Sequence, residues 1–94
     1  MIVRIVRMSF QHEKIEVVKG FLEDVRGKII RVSGCEHLDI LQDLNQKNVF
    51  FSYSHWRSEQ DLENYRQSEL FKEIWARAKL WFIEKPRAWS LDRL

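Results

Sequence analysis

The chain of 94 residues has the length of one domain, and its 45% hydrophobic content with 13% aromatic residues predicts a packed core and excludes a disordered chain. Sixteen Lys and Arg against fourteen Asp and Glu give a net charge of +2, with both signs alternating along the chain, which disfavours a nucleic-acid-binding protein. The single cysteine, Cys35, excludes an intramolecular disulfide and a cysteine-rich metal site. There is no signal segment and no apolar run long enough to span a membrane. These features predict a cytoplasmic protein with no membrane or nucleic-acid partner.

The first half of the chain predicts a strand followed by a helix. Residues 2–9 are rich in β-branched side chains and are interrupted by arginines, which favours a strand. From Glu13 the apolar residues are three and four positions apart, which predicts an amphipathic helix through Ile15, Val18, Leu22, Val25 and Ile29. Gly34 suits a left-handed C-terminal cap. Gly20 and Gly27 lie within the helix, on the side opposite its apolar stripe.

The second half predicts a hairpin, a helix and a closing strand. Residues 35–43 and 48–57 are typical of two strands joined by a polar turn. A capping box at Ser58 begins a second helix, which runs in two halves up to Pro86. The alternating residues 87–93 then indicate a fourth strand. The order β-α-β-β-α-β predicts an α+β, ferredoxin-like fold, a four-stranded antiparallel sheet with both helices on one face.

The composition of the strands predicts a homodimer. In a sheet covered on one side, apolar and polar residues should alternate, because successive side chains point to opposite faces. Here both parities are apolar, in the first strand at Ile2, Val3, Ile5 and Val6 and in the third at Val49, Phe50 and Phe51. Two helices cover only one face, so the other face is expected to pack against a second copy. The alternative is that strand ends and long polar side chains cover it.

A few residues could carry chemistry, and each has a plainer structural interpretation. Trp56, at the end of the third strand, could wall a pocket or simply fill the core. His55 could transfer a proton, since a free histidine has a pKa of about 6.5, or it could be an interface residue. Arg7 and Tyr65 could hydrogen-bond a phenolate or carboxylate, although a surface ion pair is the default for an arginine. The three histidines lack metal-ligand spacing, so no metal site is expected.

Three short stretches resemble the antibiotic biosynthesis monooxygenase family. They are Ser-Gly-Cys at 33–35, Trp-Arg-Ser-Glu-Gln at 56–60 and Ser-Glu-Leu-Phe-Lys at 68–72. The resemblance implies one such domain over residues 1–94, a dimer whose sheets pack face to face into an α/β barrel, and a pocket between each sheet and its helices. Family enzymes include oxygenases that need neither flavin nor metal, because the ionised aromatic substrate itself donates an electron to O₂.

The resemblance transfers to individual residues only in part. The strand-end tryptophan of the anthrone-oxidising members matches Trp56, but their pocket asparagine matches Ser52 and their tyrosine matches Leu62. The iron-ligating histidine of the haem-degrading members matches Trp75, which cannot ligate iron. Haem degradation is therefore not expected, and no cofactor is predicted.

The resulting hypothesis is a cofactor-independent monooxygenase that oxidises a small quinol- or polyphenol-type aromatic with O₂. Trp56 would wall the pocket, Ser52 and Tyr65 would donate hydrogen bonds, and Arg7 would stabilise substrate charge. Ligand contacts are expected from Phe50, Phe71, Trp75 and His55. The alternative is a non-catalytic, ligand-binding or stress-associated dimer of the same fold. An RNA-recognition domain shares the order of elements, but residues 48–56 lack its Lys/Arg-Gly-aromatic motif.

Overall fold

The computed structural model describes residues 1–94 and has the predicted order of strands and helices. The elements are β1 (Ile2–Ser9), a 3₁₀ turn (His12–Lys14), α1 (Ile15–Ile29), β2 (Cys35–Gln42), β3 (Val49–Trp56), α2 (Glu59–Arg66), α3 (Glu69–Ala78) and β4 (Arg87–Asp92). The strands form one four-stranded sheet in the order β2-β3-β1-β4, and every neighbouring pair is antiparallel. The α+β, ferredoxin-like fold is thereby confirmed.

The predicted second helix consists of two separate helices, each with its own serine cap. Ser58 Oγ accepts a hydrogen bond from the backbone N–H of Asp61 at 3.1 Å, which begins α2. Ser68 Oγ accepts one from the N–H of Phe71 at 3.1 Å, which begins α3. Ser68 has an extended backbone, so α2 cannot continue through it into α3. The predicted helix is therefore fully interrupted at Ser68.

The last helix also ends earlier than the spacing of apolar residues predicted. It stops at Ala78, well before Pro86, and Phe82 is therefore not helical. Phe82 instead forms an isolated β-bridge with Phe10, and their rings stack with centroids 5.1 Å apart. Phe82 is partly buried and packs against the main core through this contact, although it is not part of a helix.

Gly34 makes the sharp turn between α1 and β2 in the predicted left-handed conformation, with φ of +90°. A Cβ atom added there would collide with the side chain of Asp61 in the first turn of α2. The Gly34 carbonyl also accepts a hydrogen bond from the N–H of Arg57 at 2.8 Å. Gly34 therefore lets the end of α1 approach the start of α2 closely.

The helices cover the face of the sheet that carries the even-numbered strand residues. The main core lies between this face and α1 and comprises Val6, Met8, Phe10, Val18, Phe21, Leu22, Val25, Phe50 and Ala78. A smaller cluster of Trp56, Leu62 and Tyr65 joins the end of β3 to α2. Between these two clusters the packing leaves a cavity.

The odd-numbered residues of the central strands form the opposite face, which no helix covers. Ile5 pairs with Tyr53 on one side and with Trp89 on the other, so three strands contribute adjacent large side chains. Trp89 is 39% exposed and Leu91 is 46% exposed. We call these four residues the open face. None of the helices has the length and apolar character needed to cross a membrane.

Candidate ligand-binding site

A cavity of about 300 Å³ lies between the helix-covered face of the sheet and the helices. Its floor comes from alternate residues of the strands, and its walls come from α1, α2, α3 and the segment before β4. Most of the lining is apolar: Val6, Met8, Leu22, Val25, Ile29, Leu38, Ile40, Trp56, Leu62, Tyr65, Phe71, Ile74, Trp75, Pro86 and Ala88. This volume is at the lower end of the range for small-molecule sites, so it fits a ligand of one or two fused rings.

Four aromatic side chains form a continuous wall of the cavity. Trp56 and Tyr65 are stacked, with centroids 5.1 Å apart and planes at 21°. Tyr65 meets Phe71 edge to face at 5.2 Å, and Phe71 lies 5.6 Å from Trp75. The capped helices α2 and α3 carry three of these rings to the end of β3, where Trp56 is located. Such a wall presents both ring faces and ring edges, to which a flat ligand can stack.

The indole N–H of Trp56 is already used within the protein. It donates to Ser54 Oγ at 3.0 Å, and the Ser54 hydroxyl lies 3.4 Å from the carbonyl oxygen of Arg4. Trp56 is only 1% exposed. Because its single donor is satisfied, Trp56 can contact a ligand in the cavity through its ring alone.

Two hydroxyl groups at the cavity have no hydrogen-bond partner within the protein. They belong to Tyr65 and Ser52, and neither oxygen is fully enclosed, since no buried polar side-chain atom lacks a partner. Burial of Tyr65 raises the pKa of its phenol well above the usual range. Tyr65 therefore stays protonated at neutral pH and can donate a hydrogen bond to an oxygen atom of a ligand.

The cavity contains two arginines that the sequence analysis did not select. Arg4 of β1 donates to Ser90 Oγ across the β1–β4 ladder at 2.8 Å. Arg66, at the end of α2, is paired with Glu63 at 3.3 Å. Burial lowers the pKa of Arg4, and the positive charge of Arg66 lowers it further. Strand alternation places Arg4 on the same face of the sheet as Val6 and Arg7 on the other face, but it does not tell which face the helices cover.

The structure brings five of the predicted residues to the cavity and leaves three elsewhere. Trp56, Ser52, Tyr65, Phe71 and Trp75 line it. Arg7 points to the opposite face and pairs with Glu84 at 2.7 Å. His55 is on that face too, and its ring nitrogen lies 3.0 Å from the Tyr53 hydroxyl. Phe50 lies in the main core, where it packs edge to face against Phe10.

Two histidines, His37 and His55, are paired on the face of the sheet that no helix covers. Partial burial lowers the pKa of His55, and the neighbouring His37, with ring centroids 5.1 Å apart, lowers it further. His37 in turn lies 2.8 Å from a carboxylate oxygen of Asp39. No group of three or more His, Cys, Asp or Glu side chains is close enough together to hold a metal ion. At the cavity itself, the charged groups are the two arginines.

The fold and the cavity together define a small ferredoxin-like α+β domain with an aromatic-walled cavity between its sheet and helices. The family model for antibiotic biosynthesis monooxygenases matches residues 1–77, and the chain belongs to that family. No curated protein matches the sequence.

Several solved structures share the fold of this chain. An antibiotic biosynthesis monooxygenase crystal structure superimposes with a TM-score of 0.93 at 16% identity, covering 100% of this chain and 99% of the other. A protein of Nitrosomonas europaea assigned to the same family gives a TM-score of 0.92 at 22% identity, with the same coverage of 100% and 99%. A conserved protein from Methanosarcina mazei Go1 gives 0.91 at 17% identity, covering 100% of this chain and 94% of the other. At these identities the likeness establishes the fold alone.

Proposed function

We propose that the protein is a cofactor-independent monooxygenase that oxidises a small aromatic molecule of the quinol or polyphenol type with O₂. The observation that carries this proposal is the aromatic-walled cavity of about 300 Å³ with two free hydroxyl groups. Family membership supports it. An apolar pocket with a few convergent polar groups is the usual form of a small-molecule site.

The side chains suit a reaction in which the substrate supplies the electrons. The ionised substrate reduces O₂ from a ring carbon that bears two hydrogens in the keto tautomer. One oxygen atom replaces those two hydrogens as a carbonyl oxygen, and the other oxygen atom leaves with them as water. Tyr65 and Ser52 would donate hydrogen bonds to the substrate oxygen that bears the charge. Trp56, Phe71 and Trp75 would orient the ring and keep water out.

The proton that the substrate loses must go to a group outside the cavity lining, because the lining contains no histidine and no carboxylate. His55 faces the other side of the sheet and cannot serve as this base within the same protomer. Turnover should therefore rise with pH through the ionisation of the substrate itself.

A non-catalytic ligand-binding protein is the second candidate. It is favoured by the same lack of a base and by Leu62, an apolar cavity residue at the position where the resemblance implies a tyrosine. Such a protein would use the cavity only to hold its ligand.

We further propose that the protein acts as a homodimer in the cytoplasm. The support for the dimer is the open face, where Trp89 and Leu91 remain exposed beside Ile5 and Tyr53. An apolar patch of this kind is typical of an interface. The free thiol of Cys35 is consistent with a reducing compartment.

Oxygen uptake by metal-free protein with a panel of quinols and anthrones tests the reaction. Uptake above the uncatalysed rate should persist after chelation and should rise with pH. Tyr65→Phe should slow it, and the chain offers Tyr53→Phe as a matched control because Tyr53 lies on the open face. Binding without oxygen uptake would favour the second candidate. A requirement for added haem, flavin or metal would refute the cofactor-independent mechanism.

A further inference from the structure

The charges around the cavity are unbalanced. Its lining includes two guanidinium groups, Arg4 and Arg66, and no carboxylate. Glu63 lies outside the lining and pairs with Arg66 at 3.3 Å. Arg4, Arg66 and Glu63 together therefore carry a net charge of about +1. An arginine at the edge of an apolar cavity loses part of its hydration, and an anion placed beside it offsets that loss.

Arg4 is held in place but is not paired with an acid. Its guanidinium donates to the neutral hydroxyl of Ser90 at 2.8 Å, and no carboxylate lies within ion-pair distance of it. The fixed register of β1 and β4, in which Arg4 and Ser90 are directly opposed, sets its position. A guanidinium has five N–H donors, so donors remain after the bond to Ser90.

We propose that the cavity selects a small aromatic carboxylate, whose charged group binds to Arg4 and Arg66 while its ring lies against Trp56 and Tyr65. Arginine is the side chain that best matches the planar geometry of a carboxylate, through two parallel N–H···O bonds. Burial lowers the pKa of Arg4, and the positive charge of Arg66 lowers it further; an anion bound in the cavity beside both arginines offsets both effects. This inference rests on the proposed function only in that a small aromatic molecule occupies the cavity.

Two probes of nearly equal shape, 2-naphthoate and 2-naphthamide, separate the charge from the ring. Calorimetry at low salt should show that the purified protein binds 2-naphthoate about tenfold more tightly than 2-naphthamide, which corresponds to about 1.4 kcal/mol. The preference should shrink as salt is added, because partly exposed charges are screened.

Variants assign the preference to the two arginines. Arg4→Met and Arg66→Met should each reduce it several-fold and leave the affinity for 2-naphthamide nearly unchanged. Arg4→Lys keeps the charge and should retain part of the preference, which controls for the lost packing of Arg4→Met. Arg31→Gln is the matched control, since Arg31 is exposed after α1 and away from the cavity. Thermal melting of each variant checks that it is folded.

The outcomes separate this inference from the proposed function. If both probes bind equally well, or if the arginine variants leave the preference intact, the carboxylate assignment is wrong and the cavity remains a site for a neutral aromatic. If neither probe binds, the cavity does not take small aromatics, and both the proposed function and this inference fail.

Discussion

The three glycines of the chain should respond to the same substitution, alanine, with opposite signs. Gly20 and Gly27 lie within α1, and an added Cβ at either position would meet no atom within 4 Å apart from the adjacent residues and the backbone of its own helix. Glycine within a helix costs about 0.5–1 kcal/mol relative to alanine. Gly20→Ala with Gly27→Ala should therefore raise the free energy of unfolding by about 1–2 kcal/mol. A domain of this size gains about 4–8 °C in Tm per kcal/mol.

Gly34→Ala should have the reverse effect. At φ of +90° an alanine is strained, at a cost of roughly 1–2 kcal/mol. The new Cβ would also displace the carboxylate of Asp61. That carboxylate accepts hydrogen bonds from Arg57 Nε and Ser58 Oγ, both at 3.1 Å. The total loss should exceed about 2 kcal/mol, since strain and the lost contacts combine.

Chemical denaturation followed by circular dichroism, at one fixed protein concentration, measures the free energy of unfolding of both variants. A fixed concentration is needed because dimerisation would make the apparent stability depend on it. If the double variant in α1 is not stabilised, the outer side of that helix is not free, and a contact absent from the single chain covers it. If Gly34→Ala is as stable as the wild type, the turn does not require the left-handed conformation.

Three further predictions concern the cavity, the open face and a surface ion pair. Tyr65→Phe removes an unpaired hydroxyl, so the free energy of unfolding should change by less than about 0.5 kcal/mol. Calorimetry should show that binding of a neutral phenol, 2-naphthol, is weakened by roughly 2- to 10-fold, the value of one hydrogen bond. Equal affinity would remove Tyr65 from the site. Ile5→Lys should convert a dimer of about twice 11.5 kDa to a monomer in light scattering, and a wild type already monomeric at micromolar concentration would refute the dimer. Hydrogen bonds from Arg7 and Ser9 lower the pKa of Glu84. The wild type should therefore be more stable than Glu84→Gln at neutral pH, and it should lose that advantage below about pH 4, as Glu84 becomes protonated. Urea denaturation at a series of pH values measures the difference in stability, and a difference that stayed constant would contradict the prediction.

The fold could be predicted because each element has a local signal. Residue spacing identifies α1, and alternation with turn residues identifies the strands, independently of the rest of the chain. The length of the last helix could not be predicted, because Trp81 and Phe82 continue the apolar spacing beyond Ala78. Whether an apolar residue reaches the core from a helix or from a β-bridge to Phe10 depends on tertiary packing.

The candidate site was harder to predict, because strand β1 is apolar on both faces. Arg4 and Arg7 are three positions apart and therefore lie on opposite sides of the sheet. The sequence contains no local signal that tells which parity faces the helices, since Ile5 and Val6 are equally apolar. Alternation alone therefore favours Arg4 and Arg7 equally as cavity residues. His55 and Trp56 illustrate the same point, because adjacent strand residues cannot serve the same cavity.

Strand β4 and the segment before it contribute to the cavity, although they lie outside the part of the chain that matches the family. The part of the chain that matches the family ends at residue 77, within α3. Pro86 and Ala88 nevertheless line the cavity, and Ser90 of β4 holds the guanidinium of Arg4. The strand that completes the sheet thus also positions the charged group on which selection of a carboxylate would depend. Ligand preference should accordingly be sensitive to changes in β4, such as Ser90→Ala, even though they leave the matched part of the chain untouched.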